Sequence, residues 1–287
     1  IEPAETMTVK KRAFESTSEV QRAWNRAVDE RARQPVAPLS FAPVAVDSLY
    51  SLMRADTLKN MSSDWRTHPE IFTKSRARMV AMLQVNGISD SVVLDPMACV
   101  PRHVFVDEAF YLRAYDADAL PIGHGQTISH PSTVARMIAL MRESVTLHSV
   151  LEIGTGCGYQ AAVLALCARH VYTIERVGPL YDLACLHLAQ MANVLQQGAA
   201  PVHAKYGDGM VGWADVAPFD GIILAAAGLA VPQALLEQLR IGGVLVAPVG
   251  AEQQRLVRIT RINDNEWTRE VLDAVNFVPL LGGVTNN

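Results

Sequence analysis

Short apolar runs alternate with longer amphipathic segments through the second half of the chain. The pattern predicts strands at 149–153, 170–175, 201–208, 220–227 and 244–250, and helices at 159–168, from about 179, and at 232–239. Strands composed almost wholly of Val, Ile and Leu are typical of parallel sheets covered on both faces. The alternation therefore predicts a Rossmann-like α/β fold with a doubly wound, mostly parallel sheet and right-handed crossovers.

Near the C-terminus the periodicity changes to strict alternation. The segments 254–262 and 268–280 flank Asn263-Asp264-Asn265, a run of turn-forming residues. Alternating segments joined by such a run predict an antiparallel hairpin at the end of the sheet.

Upstream of the first strand the spacing is helical. One helix should bury Met79, Met82 and Leu83 on a single face, and Asp90 should cap a second, short helix. A third amphipathic helix follows, with four predicted core residues: Val134, Met137, Ile138 and Met141.

Residues 1–70 have a different character. A helix is predicted over 16–28, and prolines at 35, 38 and 43 then mark an extended stretch. We therefore predict an N-terminal appendage, flexible or loosely docked, followed by one α/β domain over 71–287.

Composition indicates which classes of binding partner to expect and in which cellular compartment the protein acts. Half of the 287 residues are hydrophobic, and the net charge of −4 gives no reason to expect nucleic acid or an anionic membrane. The longest apolar run, 222–231, is too short to cross a bilayer, and no secretory signal is visible. Four cysteines without CxxC spacing predict neither a metal site nor a disulfide framework, and favour a reducing, cytoplasmic location.

Candidate chemistry lies at the carboxyl ends of the predicted strands. The glycine turn 154–158 follows the first strand, Glu152 lies just before it, and Glu175 and Asp208 end the next two strands. In open α/β sheets ligands bind at this edge, and a carboxylate there can accept hydrogen bonds from ribose hydroxyls. The spacing G-x-G-x-G differs from the G-x-G-x-x-G of dinucleotide-binding proteins. These features predict S-adenosylmethionine as ligand rather than NAD.

Several motifs resemble those of one enzyme family, the protein-L-isoaspartate O-methyltransferases. They include "VLEIGTGCGYQAAVLA", "VYTIER", "YGDGMVGW", "VPRHVFV", "PIGHGQTIS" and "FVPLLGG", and the similarity covers about residues 74–284. The resemblance implies a class I S-adenosylmethionine-dependent methyltransferase domain. It also implies methylation of the α-carboxylate of L-isoaspartyl residues in damaged proteins and peptides, which starts repair through a succinimide. We expect a monomer that acts without nucleic acid or membrane.

The resemblance also assigns site residues. The serine of the "TIS" motif, here Ser129, is the expected catalytic residue, which orients the substrate carboxylate. Substrate is expected at Ser129, His130, Val278, Pro279 and Leu280. Cofactor is expected at Gln126, Thr127, Ile128, Glu152, Gly154, Thr155, Gly156, Gly158, Glu175, Arg176, Asp208 and Gly209.

Three departures from the family pattern leave the substrate open. His130-Pro131-Ser132 stands where Ala-Pro-His is common, Cys157 stands where Ser is common, and residues 1–70 extend beyond the usual core. One alternative is therefore a carboxyl methyltransferase acting on normal aspartate in a modified peptide, with the appendage as recognition arm. A second alternative is a noncatalytic protein that binds S-adenosylmethionine.

Overall fold

The structure is a computed structural model that describes residues 6–10, 69–194 and 199–286. Its main feature is an eight-stranded sheet in the order β1-β10-β9-β8-β7-β4-β5-β6. The strands are β1 (Thr6–Lys10), β4 (Ser149–Ile153), β5 (His170–Glu175), β6 (Val202–Tyr206), β7 (Phe219–Leu224), β8 (Leu239–Val249), β9 (Gln254–Asn263) and β10 (Glu266–Val275). A separate hairpin pairs β2 (Leu120–Gly123) with β3 (Gln126–Ile128).

The parallel part of the sheet confirms the predicted α/β architecture. Strands β4 to β8 are mutually parallel, and β4 lies between β5 and β7. The chain therefore moves outward from β4 in one direction and then resumes on its other side, which creates a topological switch point at the carboxyl ends of β4 and β7.

The helices cover both faces of this sheet. They are α1 (Pro69–Val85), α2 (Ser91–Cys99), α3 (Pro131–Arg142), α4 (Tyr159–Leu164), α5 (Gly178–Val194) and α6 (Gln233–Glu237). Neighbouring strand residues such as Val150 and Leu151 belong to two different apolar clusters, because successive side chains point to opposite faces. The first cluster includes the four predicted core residues of α3, all buried.

The predicted helical face of α1 is correct for two of its three residues. Met79 and Leu83 are buried, but Met82 is 51% exposed, so its inclusion was wrong. The helical positions 79 and 83 lie one above the other, whereas 82 points to the side of that stripe. Asp90 caps α2 as predicted, since its Oδ1 accepts the N–H of Val92 at 2.9 Å.

The C-terminal strands form the predicted antiparallel hairpin, with two differences. Strand β8 begins at Leu239, five residues before the predicted start, and it pairs antiparallel with β9. Strand β10 then pairs with β9 on one side and with β1 on the other. Of the predicted appendage, residues 6–10 form β1 and residues 69–70 begin α1, whereas the predicted helix 16–28 lies outside the described residues.

The described residues contain no helix long and apolar enough to cross a membrane. Within the same ranges no group of His, Cys, Asp and Glu side chains could hold a metal ion. All four cysteines are free thiols.

Candidate active site

One cavity lies at the switch point, between the carboxyl ends of the parallel strands and the β2–β3 hairpin. It collects most of the residues predicted from the sequence. Fourteen of the predicted site residues line it: Gln126, Thr127, Ile128, Ser129, Glu152, Gly154, Thr155, Gly156, Glu175, Arg176, Gly209, Val278, Pro279 and Leu280.

The glycine turn between β4 and α4 forms the floor of this cavity. Gly154, Gly156 and Gly158 all have positive φ, at 92°, 56° and 91°. Glycine adopts this conformation without steric cost, so the turn can be tight. A Cβ on Gly156 would lie 3.2 Å from Cδ1 of Ile122, in the facing hairpin. The absence of side chains therefore keeps the space open in front of the backbone.

Glu175, at the end of β5, organises the same turn. Its Oε2 accepts the N–H of Gly156 at 2.8 Å, and its Oε1 accepts the N–H groups of Arg176 and Val177, both at 2.9 Å. Hydrogen bonds from backbone N–H groups to a carboxylate are strong because the acceptor is charged. Glu175 is thus a fixed carboxylate on the cavity wall.

Glu152 lies beneath the turn in a different environment. Its Oε2 accepts the hydroxyl of Thr173 at 2.6 Å, and Thr173 in turn accepts the hydroxyl of Thr155 at 2.6 Å. Oε1 of Glu152 and Nε2 of Gln160 are both buried and neither has a close hydrogen bond among the described residues, although the Gln160 side chain is near enough to lower the pKa of Glu152. Burial raises the pKa of Glu152 to about 8, against the opposing effect of Thr173 and Gln160, and the charge of Glu175 raises it further.

The β2–β3 hairpin and the residues after it form the opposite wall. Antiparallel pairing places Leu120 opposite Ile128 and Pro121 opposite Thr127. The turn between the strands is tight, since His124 itself has a φ of 51°. Ser129 follows β3 and lines the cavity, and its carbonyl oxygen accepts a 2.6 Å hydrogen bond from Arg102.

The segment after β10 completes the rim. The carbonyl oxygen of Val278 accepts the N–H of Ala227, and the N–H of Leu280 is donated to the carbonyl of Ala227. This bridge places Val278, Pro279 and Leu280 beside the carboxyl end of β7. The predicted substrate residues of this segment therefore face the same cavity as Ser129.

Three predicted site residues do not line the cavity, and each has a structural contact instead. Gly158 is the N-cap of α4, where an added Cβ would lie 3.3 Å from Leu188. Asp208 accepts the N–H of Met210 at 2.8 Å and that of Gly283 at 2.7 Å.

His130, the third, is the N-cap of α3. Its Nδ1 accepts the N–H of Ser132 at 3.1 Å and lies 2.8 Å from the Ser132 hydroxyl. Burial lowers the pKa of His130, and the charge of Arg102 acts in the same direction, while a hydrogen bond to Ala117 opposes both. The neutral ring is the form that accepts at Nδ1. The two residues that depart from the family pattern thus bond to each other.

Other lining residues were missed by the sequence reasoning. Tyr159 and Gln160 open α4, so their position directly after the glycine turn was a signal that could have identified them. Ala225 and Ala226 follow β7, at the other side of the switch point. The remaining missed residues are Val134, Ile153, Cys157, Ile174, Val177 and Leu281.

Comparison with known proteins identifies relatives over most of the chain. The family model described as protein-L-isoaspartate(D-aspartate) O-methyltransferase matches residues 74–285. A protein-L-isoaspartate O-methyltransferase of Burkholderia cenocepacia is 56% identical over 212 residues, which is 73% of this chain and 66% of the relative. A protein of the same name from Bordetella parapertussis is 54% identical over 250 residues, 87% of each chain.

Solved structures show the same fold. A putative protein-L-isoaspartate O-methyltransferase of Plasmodium falciparum, in complex with S-adenosyl-L-homocysteine, superposes with a TM-score of 0.60 at 23% identity. The match covers 71% of this chain and 97% of that one. A second structure, named protein-L-isoaspartate O-methyltransferase, gives a TM-score of 0.63 at 23% identity, over 72% of this chain and 66% of the other.

Proposed function

Because the chain belongs to the protein-L-isoaspartate(D-aspartate) O-methyltransferase family, we propose that it methylates isoaspartyl residues. The methyl group would come from S-adenosylmethionine, and the acceptor would be the α-carboxylate of an L-isoaspartyl residue in a damaged protein or peptide. The matched region spans slightly less than two thirds of the first Burkholderia relative. Activity and substrate are therefore proposed for the chain as it stands.

One observation carries this proposal. The glycine turn and Glu175 share a single cavity with Ser129 and the 278–280 segment. A methyl transfer needs the donor and the acceptor in one enclosed space with the reacting atoms in line. Within this cavity the proposed cofactor residues and the proposed substrate residues lie together.

The residues on the strand side fit the proposed cofactor. Oε1 of Glu152 and Nε2 of Gln160 are buried polar atoms at the cavity without a close hydrogen bond among the described residues, and such atoms favour a ligand that completes their hydrogen bonds. An amino acid moiety offers the ammonium group and carboxylate that match them. Glu175 is placed to accept hydrogen bonds from ribose hydroxyls, beside a glycine turn that lacks obstructing side chains.

The remaining predicted cofactor residues receive roles from their positions. Gln126, Thr127 and Ile128 would cover the cofactor from the hairpin, and the Arg176 and Gly209 backbones would border its far side. Asp208 would act indirectly, because it fixes the backbone next to Gly209.

The chemistry requires positioning more than acid or base catalysis. A carboxylic acid with a pKa of about 4 is already ionised at neutral pH, so the substrate needs no general base. Bound S-adenosylmethionine supplies an electrophilic methyl group on a sulfonium. Ser129 would orient the carboxylate with a single hydroxyl donor, which leaves the attacking lone pair available.

Substrate backbone would lie along the 278–280 segment. The Val278 carbonyl and the Leu280 N–H are already paired with Ala227 on one side of this segment. We propose that His130 caps α3 rather than contacting substrate, which revises its predicted role.

The decisive experiment is a methylation assay with matched peptides. The chain is incubated with S-adenosylmethionine and either an isoaspartyl peptide or the same peptide with normal aspartate. We expect a base-labile ester, measured as released methanol, with the isoaspartyl peptide only. Methylation of the aspartyl peptide would support the first alternative substrate, and cofactor binding without ester would support a noncatalytic protein. A calorimetric titration with NAD is the control for cofactor class.

The domain division, the oligomeric state and the compartment stay predictions. We propose that residues 71–287 form the methyltransferase domain and that it acts as a monomer in the cytoplasm, without nucleic acid. Analytical ultracentrifugation of the full chain with and without isoaspartyl peptide tests the monomer.

A further inference from the structure

A buried arginine lies directly behind the proposed substrate wall. Arg102 belongs to the short 3-10 helix Arg102–Phe105, and none of its surface is exposed. Its Nε donates to the carbonyl of Ala114 at 2.7 Å, and its Nη2 donates to the carbonyl of Ser129 at 2.6 Å. The guanidinium carbon lies 4.8 Å from the centroid of the Tyr159 ring.

This positive charge has no counter-charge in the part of the chain that the structure describes. No carboxylate there forms an ion pair with Arg102, and besides the two carbonyl groups its hydrogen-bond partner among the described residues is the Tyr159 side chain. The groups that favour its charged form are the phenols of Tyr159 and Tyr115 and the thiol of Cys157. Burial lowers the pKa of Arg102, but a guanidinium stays protonated in proteins. An unpaired buried charge is costly unless something compensates it.

The location of the Arg102 guanidinium indicates that a bound anion in the cavity compensates its charge. Two of its neighbours, Ser129 and Tyr159, form part of the cavity lining, whereas Arg102 itself does not. The guanidinium thus lies one residue layer behind the surface that would receive the substrate carboxylate. In a buried site the effective dielectric constant is low, so a charge one residue layer away interacts more strongly with a bound anion than it would in water.

We propose that Arg102 is a positioning residue for the substrate anion. It fixes the Ser129 backbone and supplies the positive charge that favours a carboxylate in the cavity. This proposal rests on the proposed function, because it concerns the isoaspartyl carboxylate. The methyl ester product is neutral, so the same charge would favour the bound substrate over the bound product.

The charge should affect binding more than the chemical step. During transfer the negative charge of the carboxylate decreases, so Arg102 stabilises the bound substrate at least as much as the transition state. Removal of an interaction made equally in both states raises KM and leaves kcat unchanged. A general loss of packing would instead lower kcat, cofactor affinity and thermal stability together.

The test compares two peptides and two substitutions. R102Q removes the charge, and R102K keeps the charge but loses the planar fork that reaches two carbonyl groups. Each variant is assayed for methylation of the isoaspartyl peptide. Inhibition constants are then measured for the methyl-accepting peptide and for an analogue whose α-carboxylate is replaced by a carboxamide.

We expect R102Q to raise the peptide KM by about tenfold, with kcat within about threefold, as for the loss of a charge-assisted contact. Affinity for the carboxamide analogue should not change. R102K should retain the preference for carboxylate over carboxamide. Arg142, the last residue of α3, pairs with Asp90 at 2.8 Å and is the control, and R142Q should leave the peptide KM unchanged.

Equal weakening of both peptides by R102Q, or an unchanged KM, would overturn the proposal. If R102Q does not fold, as judged by thermal unfolding and by S-adenosylhomocysteine affinity, R102K decides. Retention of the carboxylate preference in R102K supports the proposal, and loss of affinity for both peptides to the same extent overturns it. Failure of the wild-type chain to methylate any isoaspartyl peptide would instead refute the proposed function.

Discussion

The two walls of the cavity are built in opposite ways. On the strand side, Glu175 accepts three backbone N–H groups, and Thr155, Thr173 and Glu152 form a hydrogen-bonded chain beneath the turn. On the hairpin side the fixed contact is to the backbone of Ser129, through the buried Arg102. The side chain of Ser129 is half-buried and lines the cavity.

The difference corresponds to what each wall is proposed to bind. A cofactor of constant shape is matched by polar groups fixed in advance, which lowers the entropic cost of binding. A substrate that occurs in many protein sequences is matched by a few donors and by the backbone of an edge segment. Substitution of Glu175 should therefore change cofactor affinity, and substitution of Ser129 should change peptide kinetics.

The largest effect is expected at Glu175. Glu175→Ala leaves the N–H groups of Gly156, Arg176 and Val177 without their acceptor, and it removes the proposed ribose contact. We expect S-adenosylhomocysteine affinity, measured by calorimetry, to fall by about 100-fold, which corresponds to about 2.8 kcal/mol. Glu175→Gln keeps one carbonyl acceptor and should lose less. Equal affinity of wild type and Glu175→Ala would show that the carboxylate does not contact the cofactor.

Ser129→Ala should give the next largest effect, on the opposite wall. Loss of the hydroxyl should lower isoaspartyl-peptide turnover by about 10- to 100-fold, because the carboxylate loses its orienting donor. Cofactor affinity should stay within about twofold. Steady-state kinetics and a binding titration on the same preparation measure both. Unchanged turnover would remove Ser129 from the proposed mechanism.

Glu152→Gln should produce a stability difference that depends on pH. Burial raises the folded-state pKa of Glu152 to about 8, above the ordinary value of 4.5. The folded state therefore binds this proton more tightly, and the free energy of unfolding falls as pH rises between these two values. Glutamine does not titrate, so the free energy of unfolding of the variant should rise relative to that of wild type as the pH rises from 4.5 to about 8.

We expect that gain to be on the order of a few kcal/mol above pH 8 in the absence of cofactor. Thermal unfolding at a series of pH values measures it. Parallel melting curves for the two chains at all pH values would mean that Glu152 titrates normally.

The smallest effect is expected at His130. His130→Ala removes the side-chain cap of α3, which should lower the free energy of unfolding by about 1 kcal/mol. Peptide KM should change by less than about threefold, since the ring does not line the cavity. Ser132→Ala removes only the hydroxyl contact of the same ring and keeps the N–H that the ring accepts, so its effect on stability should be smaller. A large KM increase in His130→Ala alone would place the imidazole in contact with substrate.

The bounds of strands and helices were predicted well where the apolar residues follow one clear pattern. Strands β4 and β5 have the predicted bounds, because an apolar run enclosed by turn residues leaves little freedom in assignment. The start of β8 was missed because "RIGG" contains an arginine and two glycines, and only pairing with neighbouring strands makes it extended. The exposure of Met82 was missed because Met fits a helical stripe and a surface position equally well.

Site residues that follow predicted strands could be identified from the sequence, but contacts between distant parts of the chain could not. Glu152, Glu175 and the glycine turn follow from their positions at strand ends. Asp208 has the same signal, yet its carboxylate faces the chain near Gly283, more than seventy residues later. Arg102 lies in the quoted motif "VPRHVFV", but its proposed role was not predicted, since that role comes from contacts with residues 114, 129 and 159 that only the folded chain brings together.

Strand β1 has a consequence for any shortened form of the chain. It covers β10 through five residue pairs, from Thr6 opposite Glu270 to Lys10 opposite Glu266. A chain cut at residue 70 would expose the backbone of β10 along this edge, and an open edge strand recruits other strands. Such a chain should self-associate as its concentration rises, even with the catalytic residues intact. Replacing residues 11–68 with a flexible linker while keeping Thr6–Lys10 would preserve a capped edge.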